Sequence, residues 1–510
     1  MPQNNRRVIY FFTLISHDWR MRKSFALLLA ATVIIGLTLG VANAAAPVVG
    51  KKCSKAGLSA KVAGDRFTCT KSGKKLIWKK VIPAVIKAAP SPSPTQTMDP
   101  AAATVAPSAP SAPSAPPEPT QTPAVAEIMT PITLSSFVSL AQSAMANSEN
   151  AIPILDTANT VQVLEVKKNE LPNFLFADTV QKFSFFGPTP LVEKDSSRLH
   201  GLSLVSADGR KVYQSDSAIP PWGVGFDFTS DDPKGRFIVE TSATDNSGTY
   251  SWRLAYKSAT GPWKYQSVNG ISHKNDNEKF FDEVTLGEAG KFSIRLEFEA
   301  KTTFYGLGLA DKAASVTPLL KSPAVRVLIV GDSWVWPSFN ESGPVHVWDA
   351  YPGALSWLTG WNVISAGVRG QGYLSVAANE TYKDRIVRDV IPQHPAVVIF
   401  TGSSNDHLFA DQQIAEEMGR DIQALQKADP SVLIIVCSPY ATGGDQKAPG
   451  QSKAMKAEAN RIGVPYIDFI NLPLFDQSNN GQGQLSQGHP TRLGSSYIAR
   501  ALLKELAAVK

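Results

Sequence analysis

Four short stretches of this chain carry side chains that could act together on a carbonyl carbon. The run Val327-Leu328-Ile329-Val330 stops on Gly331-Asp332-Ser333 and so presents a hydroxyl at the end of a continuous apolar segment. Val363-Ile364 leads into Ser365-Ala366-Gly367-Val368-Arg369-Gly370, where glycine lets the backbone come close to a ligand and offer an unshielded N–H. Ala396 to Phe400 leads into Thr401-Gly402-Ser403-Ser404-Asn405-Asp406-His407, in which Asn405 is placed to aim an amide donor at a developing oxyanion. Gly488-His489-Pro490-Thr491 precedes the last helical stretch, with the proline expected at its first turn and His489 left on the loop before it.

The elements that must position these groups are read from the apolar pattern. Runs at Val327 to Val330, Val363 to Ile364, Ala396 to Phe400, Val432 to Cys437 and Tyr466 to Phe469 are separated by helix-like stretches, among them Asp411 to Ala428, Gln451 to Ile462 and Thr491 to Val509. Strands that read as unbroken Val, Ile and Leu are buried on both faces, and their alternation with helices makes a parallel sheet. The region 322–510 is thus expected to be a three-layer α/β/α domain with a five-stranded parallel sheet. Ligands of such sheets gather outside the carboxyl ends of the strands, which brings the four stretches to one rim.

These four blocks, in this order, resemble the SGNH, or GDSL-like, hydrolases: Ser333 in Gly-Asp-Ser, Gly370 in the glycine block, Asn405 in Asn-Asp and His489 in His-Pro. The resemblance spans Val327 to Leu506 and implies that Ser333 attacks an ester carbonyl while His489 takes its proton and returns it to the leaving alcohol. It also implies an oxyanion hole made from the N–H groups of Ser333 and Gly370 and the amide of Asn405, with no metal and no organic cofactor. Two positions depart from the family's pattern. Three residues before His489 stands Ser486, not an aspartate, so His489 is oriented by a backbone carbonyl, by Ser486, or by a carboxylate such as Asp476, or else the enzyme is impaired. Gly402 stands three residues before Asn405, where the family has two, which shifts that loop by one residue.

Neighbouring residues are assigned on chemistry. Asp332 and Asp406 read as structural, fixing loop backbone by hydrogen bonds. His407 reads as a solvated surface histidine, and His346 and His394 carry no signal. Aromatic residues crowd the first loop and helix: Trp348, Tyr351 and Trp357 are expected in the core, whereas Trp334 and Trp336, directly after the serine, are candidates for substrate contact.

At 510 residues the chain has room for several domains. Arg20, Arg22 and Lys23 precede the apolar run Phe25 to Val41 and then Ala42-Asn43-Ala44, so residues 1–44 are expected to be a cleaved signal peptide, with an uncleaved anchor as the rival. Residues 45–81 form a small basic module: Lys51 to Lys80 carries ten Lys or Arg and two of the chain's three cysteines, and Cys53 should pair with Cys69. This module resembles a short Cys-containing repeat of exported actinobacterial proteins. Cys437, in an apolar strand, reads as a buried core residue.

Residues 82–131, rich in Pro, Ala and Ser, form an extended stalk. Residues 132–314 read as a β-sandwich, jelly-roll-like, with a helical lead-in at Leu134 to Ala146 and a hairpin turning at Asp208-Gly209. Phe292, Ile294, Leu296 and Phe298 alternate with polar residues, as do Tyr250, Trp252, Leu254 and Tyr256, the pattern of strands with one face buried. A sandwich before an SGNH domain is also similar to the two-domain carbohydrate esterases of family 2. A net charge of +6, without a nucleic-acid motif, does not indicate nucleic-acid binding.

The expectation is a secreted or wall-associated serine esterase that removes short acyl groups from a carbohydrate, with a cell-wall polymer as a further partner and no stable membrane insertion. Two alternatives stay open: an O-acyltransferase, and a non-catalytic glycan- or wall-binding protein with a degenerate hydrolase domain.

Overall fold

The computed structural model describes residues 59–62, 65–72, 75–80, 122–123 and 131–510, the last range apart from 148–150, 189, 194–197, 201–219, 244–248, 275–277, 300–301, 320–324, 337–345, 378, 441–447, 472–484 and 487. The signal segment, almost all of the stalk, Cys53 and the hairpin at Asp208-Gly209 lie outside the described residues. The chain divides into two compact units, Met1–Ala112 and Pro113–Lys510.

In the first unit, Ser59–Val62, Asp65–Ser72 and Lys75–Lys80 form an antiparallel three-stranded sheet. Cys69 stands opposite Trp78 across the last pair, and both side chains are buried.

In the second unit the expected α/β domain is present. Strands Arg326–Gly331, Asn362–Gly367, Val397–Thr401, Leu433–Cys437 and Tyr466–Ile467 make a parallel sheet in the spatial order second, first, third, fourth, fifth. Successive residues of one strand point to opposite faces, and here both faces are apolar. Val327, Ile329, Val363, Val397, Ile399, Ile435 and Cys437 face one core with helices Tyr351–Thr359 and Arg492–Leu506. Leu328, Val330, Ile364, Val398, Phe400, Ile434 and Val436 face a second core with helices Asp411–Ala428 and Ala448–Ile462. That double burial is why the strands read as unbroken apolar runs. It also pushes the Cys437 thiol well above its ordinary pKa.

The β-rich region consists of two sheets of largely antiparallel strands. One runs through Thr302–Leu309, Arg236–Ala243 and Phe280–Thr285, the other through Trp222–Ser230, Gly290–Phe298 and Thr249–Ser258. Phe226, Phe228, Phe237, Val239, Leu254, Ile294, Leu296 and Phe304 fill the space between them. The last strand, Ser315–Pro318, extends the second sheet a few residues beyond the expected boundary at 314.

Two readings need correction. The helix Leu134–Ala146 does not lead into the sandwich: Phe137, Ala141 and Ala144 pack into the core of the α/β domain, and Gln142 Nε2 donates to the Ala507 carbonyl at 3.0 Å. The strands Thr249–Ser258 and Gly290–Phe298 are not half-buried either, since Arg253, Arg295 and Glu297 on their polar face are buried as fully as the apolar residues beside them. That face abuts the α/β domain. Arg253 donates from Nε and Nη2 to Glu297 Oε2 (2.9 and 2.7 Å) and from Nη1 to Asp349 Oδ1 (2.7 Å), and Trp357 Nε1 donates to Glu297 Oε1 at 2.8 Å. Paired charge stands beside apolar contact across this junction, so the alternation in sequence is genuine while the exposure it suggests is not.

Candidate active site

Ser333 follows the first parallel strand and opens a tight turn. The Asp332 carbonyl accepts from Val335 N–H (3.2 Å) and Trp336 N–H (3.1 Å), and Asp332 Oδ1 accepts from Trp334 N–H (2.9 Å). The aspartate thus caps the turn that displays the serine, the structural role expected of it. The turn lies close against the second strand, because a Cβ at Gly367 would fall 2.4 Å from Trp336 N and 2.8 Å from the Asp332 carbonyl oxygen.

His489 comes from the far end of the chain. Leu485–Ser486 and His489–Pro490 form a two-stranded ribbon in which Ser486 pairs with His489 through the backbone. Pro490 is therefore in the ribbon and not at the helix start; Thr491 caps helix Arg492–Leu506, its hydroxyl accepting from Gly494 N–H at 3.1 Å. Ribbon on one side and capped helix on the other fix the backbone of His489. Its half-buried ring places Nε2 2.9 Å from Ser333 Oγ, across 156 residues of sequence. The side chain of Ser486 and all of Asp476 lie outside the described residues.

The third block is held by contacts that the sequence did not reveal. Ser403 Oγ lies 2.7 Å from Asp332 Oδ2 and 2.8 Å from the Gln371 carbonyl, and its single proton serves one of them. The same oxygen accepts from Asn405 N–H (3.1 Å) and Asn405 Nδ2 (2.9 Å). Asn405 Nδ2 also lies 3.0 Å from the Gln371 carbonyl and 3.4 Å from Asp332 Oδ2. Three acceptors compete for two amide protons, so Asn405 reaches the serine turn despite the shifted glycine, but with its donors already engaged. The short 3-10 helix Ser404–Leu408, capped by Ser403, takes up the extra residue.

Asp406, fully buried, accepts from Tyr373, Leu374 and Ser375 N–H (2.8, 3.1 and 2.7 Å) and holds the segment that follows the glycine block. Burial, with Asp406 as a second negative charge, pushes Asp332 up to about 6. Gly370 is exposed, has φ +77°, and its N–H has no partner among the described residues.

Ser333, His489 and the Asn405 loop thus meet at the carboxyl ends of the first and third strands, with Gly370 beyond the end of the second. Trp334 and Trp336 are packed in core clusters. They are 5% and 6% exposed; Trp334 stacks on Tyr440 at 4.5 Å in one core, and Trp336 packs with Phe186, Val347 and Trp348. Ser333 itself is 8% exposed, so the turn is buried as a whole. His407 is exposed as expected, and Trp348, Tyr351 and Trp357 are buried. Ser403 and Gln371 were missed as organisers of the site. Nothing local marks them, because their partners lie about 30 to 70 residues away in sequence.

Residues 329–496 match the model of the GDSL-like lipase/acylhydrolase family. No curated protein matches the sequence. Solved structures similar to the chain include a family two carbohydrate esterase from Cellvibrio japonicus, at 14% identity and TM-score 0.45 over 68% of this chain and 97% of that one. A salicylyl-acyltransferase from a tetracycline biosynthetic pathway has 12% identity and TM-score 0.44 over 68% and 97%. An acetyl xylan esterase from the rumen bacterium Butyrivibrio proteoclasticus has 13% identity and TM-score 0.40 over 68% and 98%.

Proposed function

With residues 329–496 forming a GDSL-like lipase/acylhydrolase domain, we propose that the chain is an exported serine esterase that removes short acyl groups, acetyl above all, from a carbohydrate. The observation that carries this reading is the 2.9 Å hydrogen bond between Ser333 Oγ and His489 Nε2. Ser333 Oγ attacks the ester carbonyl as His489 Nε2 takes its proton. The tetrahedral intermediate then collapses to an acyl-serine, and the protonated imidazole gives its proton to the departing sugar hydroxyl. Water, deprotonated by the same nitrogen, attacks the acyl-serine and releases the carboxylic acid. The N–H groups of Ser333 and Gly370 receive the oxyanion. Asn405 joins them once one of the two Nδ2 protons turns from its present acceptors to the oxyanion.

Export is supported by the basic and then apolar amino terminus, and a glycan substrate by the stalk, the basic module and the β-rich region before the hydrolase domain. The Ser333–His489 bond favours an enzyme over a non-catalytic surface scaffold. A fluorophosphonate probe tests the nucleophile: wild-type protein is labelled and Ser333→Ala is not. Equal labelling of the two, or none of the folded wild type, sinks the reading. Acetate release from O-acetylated glycans then tests the substrate, and release from none of them removes the carbohydrate assignment.

A further inference from the structure

Ser403 stands two residues before Asn405, where the family's pattern has glycine, and so brings to the site a hydroxyl that a glycine cannot supply. It is fully buried, and its backbone is anchored from two sides. Gly402 N–H donates to the Cys437 carbonyl at 2.9 Å, and Gln451 Nε2, from helix Ala448–Ile462, donates to the Ser403 carbonyl at 3.1 Å. The fourth strand and that helix thus fix where the hydroxyl sits.

Few protons are available there: Ser403 Oγ carries one and Asn405 Nδ2 carries two. Two acceptors draw on them. Asp332 Oδ2 lies 2.7 Å from Ser403 Oγ and 3.4 Å from Asn405 Nδ2, and the Gln371 carbonyl lies 2.8 and 3.0 Å from the same two atoms. A buried acceptor left without a donor is costly, and a carboxylate more so than a carbonyl. Asp332, pushed up to about 6, is a carboxylate at neutral pH and the stronger acceptor of the two. With the Ser403 proton on Asp332, one Nδ2 proton satisfies the Gln371 carbonyl. The other rests on Ser403 Oγ at 2.9 Å, a neutral oxygen from which an oxyanion can draw it. Remove the hydroxyl, and Nδ2 is the one other side-chain donor within reach of Asp332 Oδ2 among the described residues. Both amide protons are then taken.

We propose that Ser403 is a positioning residue: by giving its proton to Asp332 it frees one Asn405 Nδ2 proton for the oxyanion. This rests on the esterase reading of Ser333 and His489.

Hydrolysis of 4-nitrophenyl acetate by the full chain tests it. Ser403→Ala lowers kcat by about tenfold or more and leaves KM within about twofold, because the bond it removes belongs to the transition state. In the Asn405→Ala background the same substitution costs less than about twofold, since the proton it would free is gone. Asp332→Asn, added to Ser403→Ala, regains about threefold or more. Its oxygen keeps the Trp334 N–H, and its nitrogen, beside Asn405 Nδ2, accepts no proton. Loss of the Ser403 cap on Asn405 N–H is not repaired by that change. Should Ser403→Ala fail to fold, Ser403→Gly removes the same hydroxyl and restores the family's residue. Unchanged kcat in the folded variant, equal losses in the two backgrounds, or no gain from Asp332→Asn overturns the role of Ser403 and leaves the esterase reading standing. No turnover by folded wild type sinks both.

Discussion

Gly367→Ala adds one methyl group, removes no chemical function, and should nevertheless cost most of the activity. A Cβ at this position falls 2.4 Å from Trp336 N, 2.8 Å from the Asp332 carbonyl oxygen and 2.8 Å from the Val335 carbonyl carbon, all backbone atoms of the turn that carries Ser333. No rotamer change relieves such a contact. Restoring an ordinary separation of 3.4 Å from Trp336 N means moving the turn by about 1 Å, since 3.4 − 2.4 = 1.0. The Ser333–His489 bond is only 2.9 Å long and does not survive a displacement of that size directed away from the histidine. Misplacement by about 1 Å costs on the order of 100-fold in rate, or about 2.7 kcal/mol in the transition state. Hydrolysis of 4-nitrophenyl acetate gives kcat/KM, and circular dichroism gives the folded fraction. Gly370→Ala is the comparison: among the described residues its Cβ meets only Ala377 Cβ, at 3.3 Å, although φ is +77°. It should lose about 1–2 kcal/mol of stability while keeping its N–H. Wild-type turnover in a folded Gly367→Ala protein, or a larger rate loss in Gly370→Ala, would refute the claim that the packing of this turn sets the geometry of the Ser333–His489 pair.

Asn405→Ala should lower kcat by about 10²–10³ if its amide turns to the oxyanion; a rate within a few fold of wild type would leave Asn405 only its bonds to Ser403 and Gln371. Glu297→Gln leaves Arg253 and Arg295 without their shared carboxylate in a buried junction, and should cost about 3–5 kcal/mol in a urea titration. Asp421 is buried with no hydrogen bond to either oxygen among the described residues, and burial pushes it up to about 8. Its unfolded carboxyl ionises near pH 4, so the stability linked to it is full below about pH 4, falls as the pH rises, and is gone above about pH 8. Asp421→Asn should therefore raise the melting temperature more at pH 9 than at pH 5, and an equal or opposite shift would contradict the assignment.

How much of this was legible in the sequence depends on the range of the interaction. The five strands could be read because burial on both faces requires unbroken apolar runs, and Val327 to Val330 meets that requirement within one segment. Ser333 could be placed because it follows the end of such a run, whereas the ribbon that holds His489 and Pro490 could not be read. Contacts between distant segments were not readable. Trp334 and Trp336 look like pocket walls in sequence and are core residues in the fold, because the turn at Asp332 sends them toward Tyr440 and Trp348. The helix Leu134–Ala146 stands next to the β-rich region in sequence and packs on the α/β domain, where Phe137 finds Trp361 at 5.0 Å.

The sequence by itself determined the α/β alternation, because local periodicity encodes it, and it carries in order the four blocks in which the resemblance to the SGNH hydrolases picks out Ser333 and His489. Only the tertiary structure decided that Ser403 joins Asp332, Gln371 and Asn405, and that Asn405's donors are engaged. It also decided that the polar face carrying Arg253, Arg295 and Glu297 is buried. Alternation of polar and apolar residues marks which side of a strand is polar; whether that side meets water or another domain depends on how the two halves dock, and no local pattern records it.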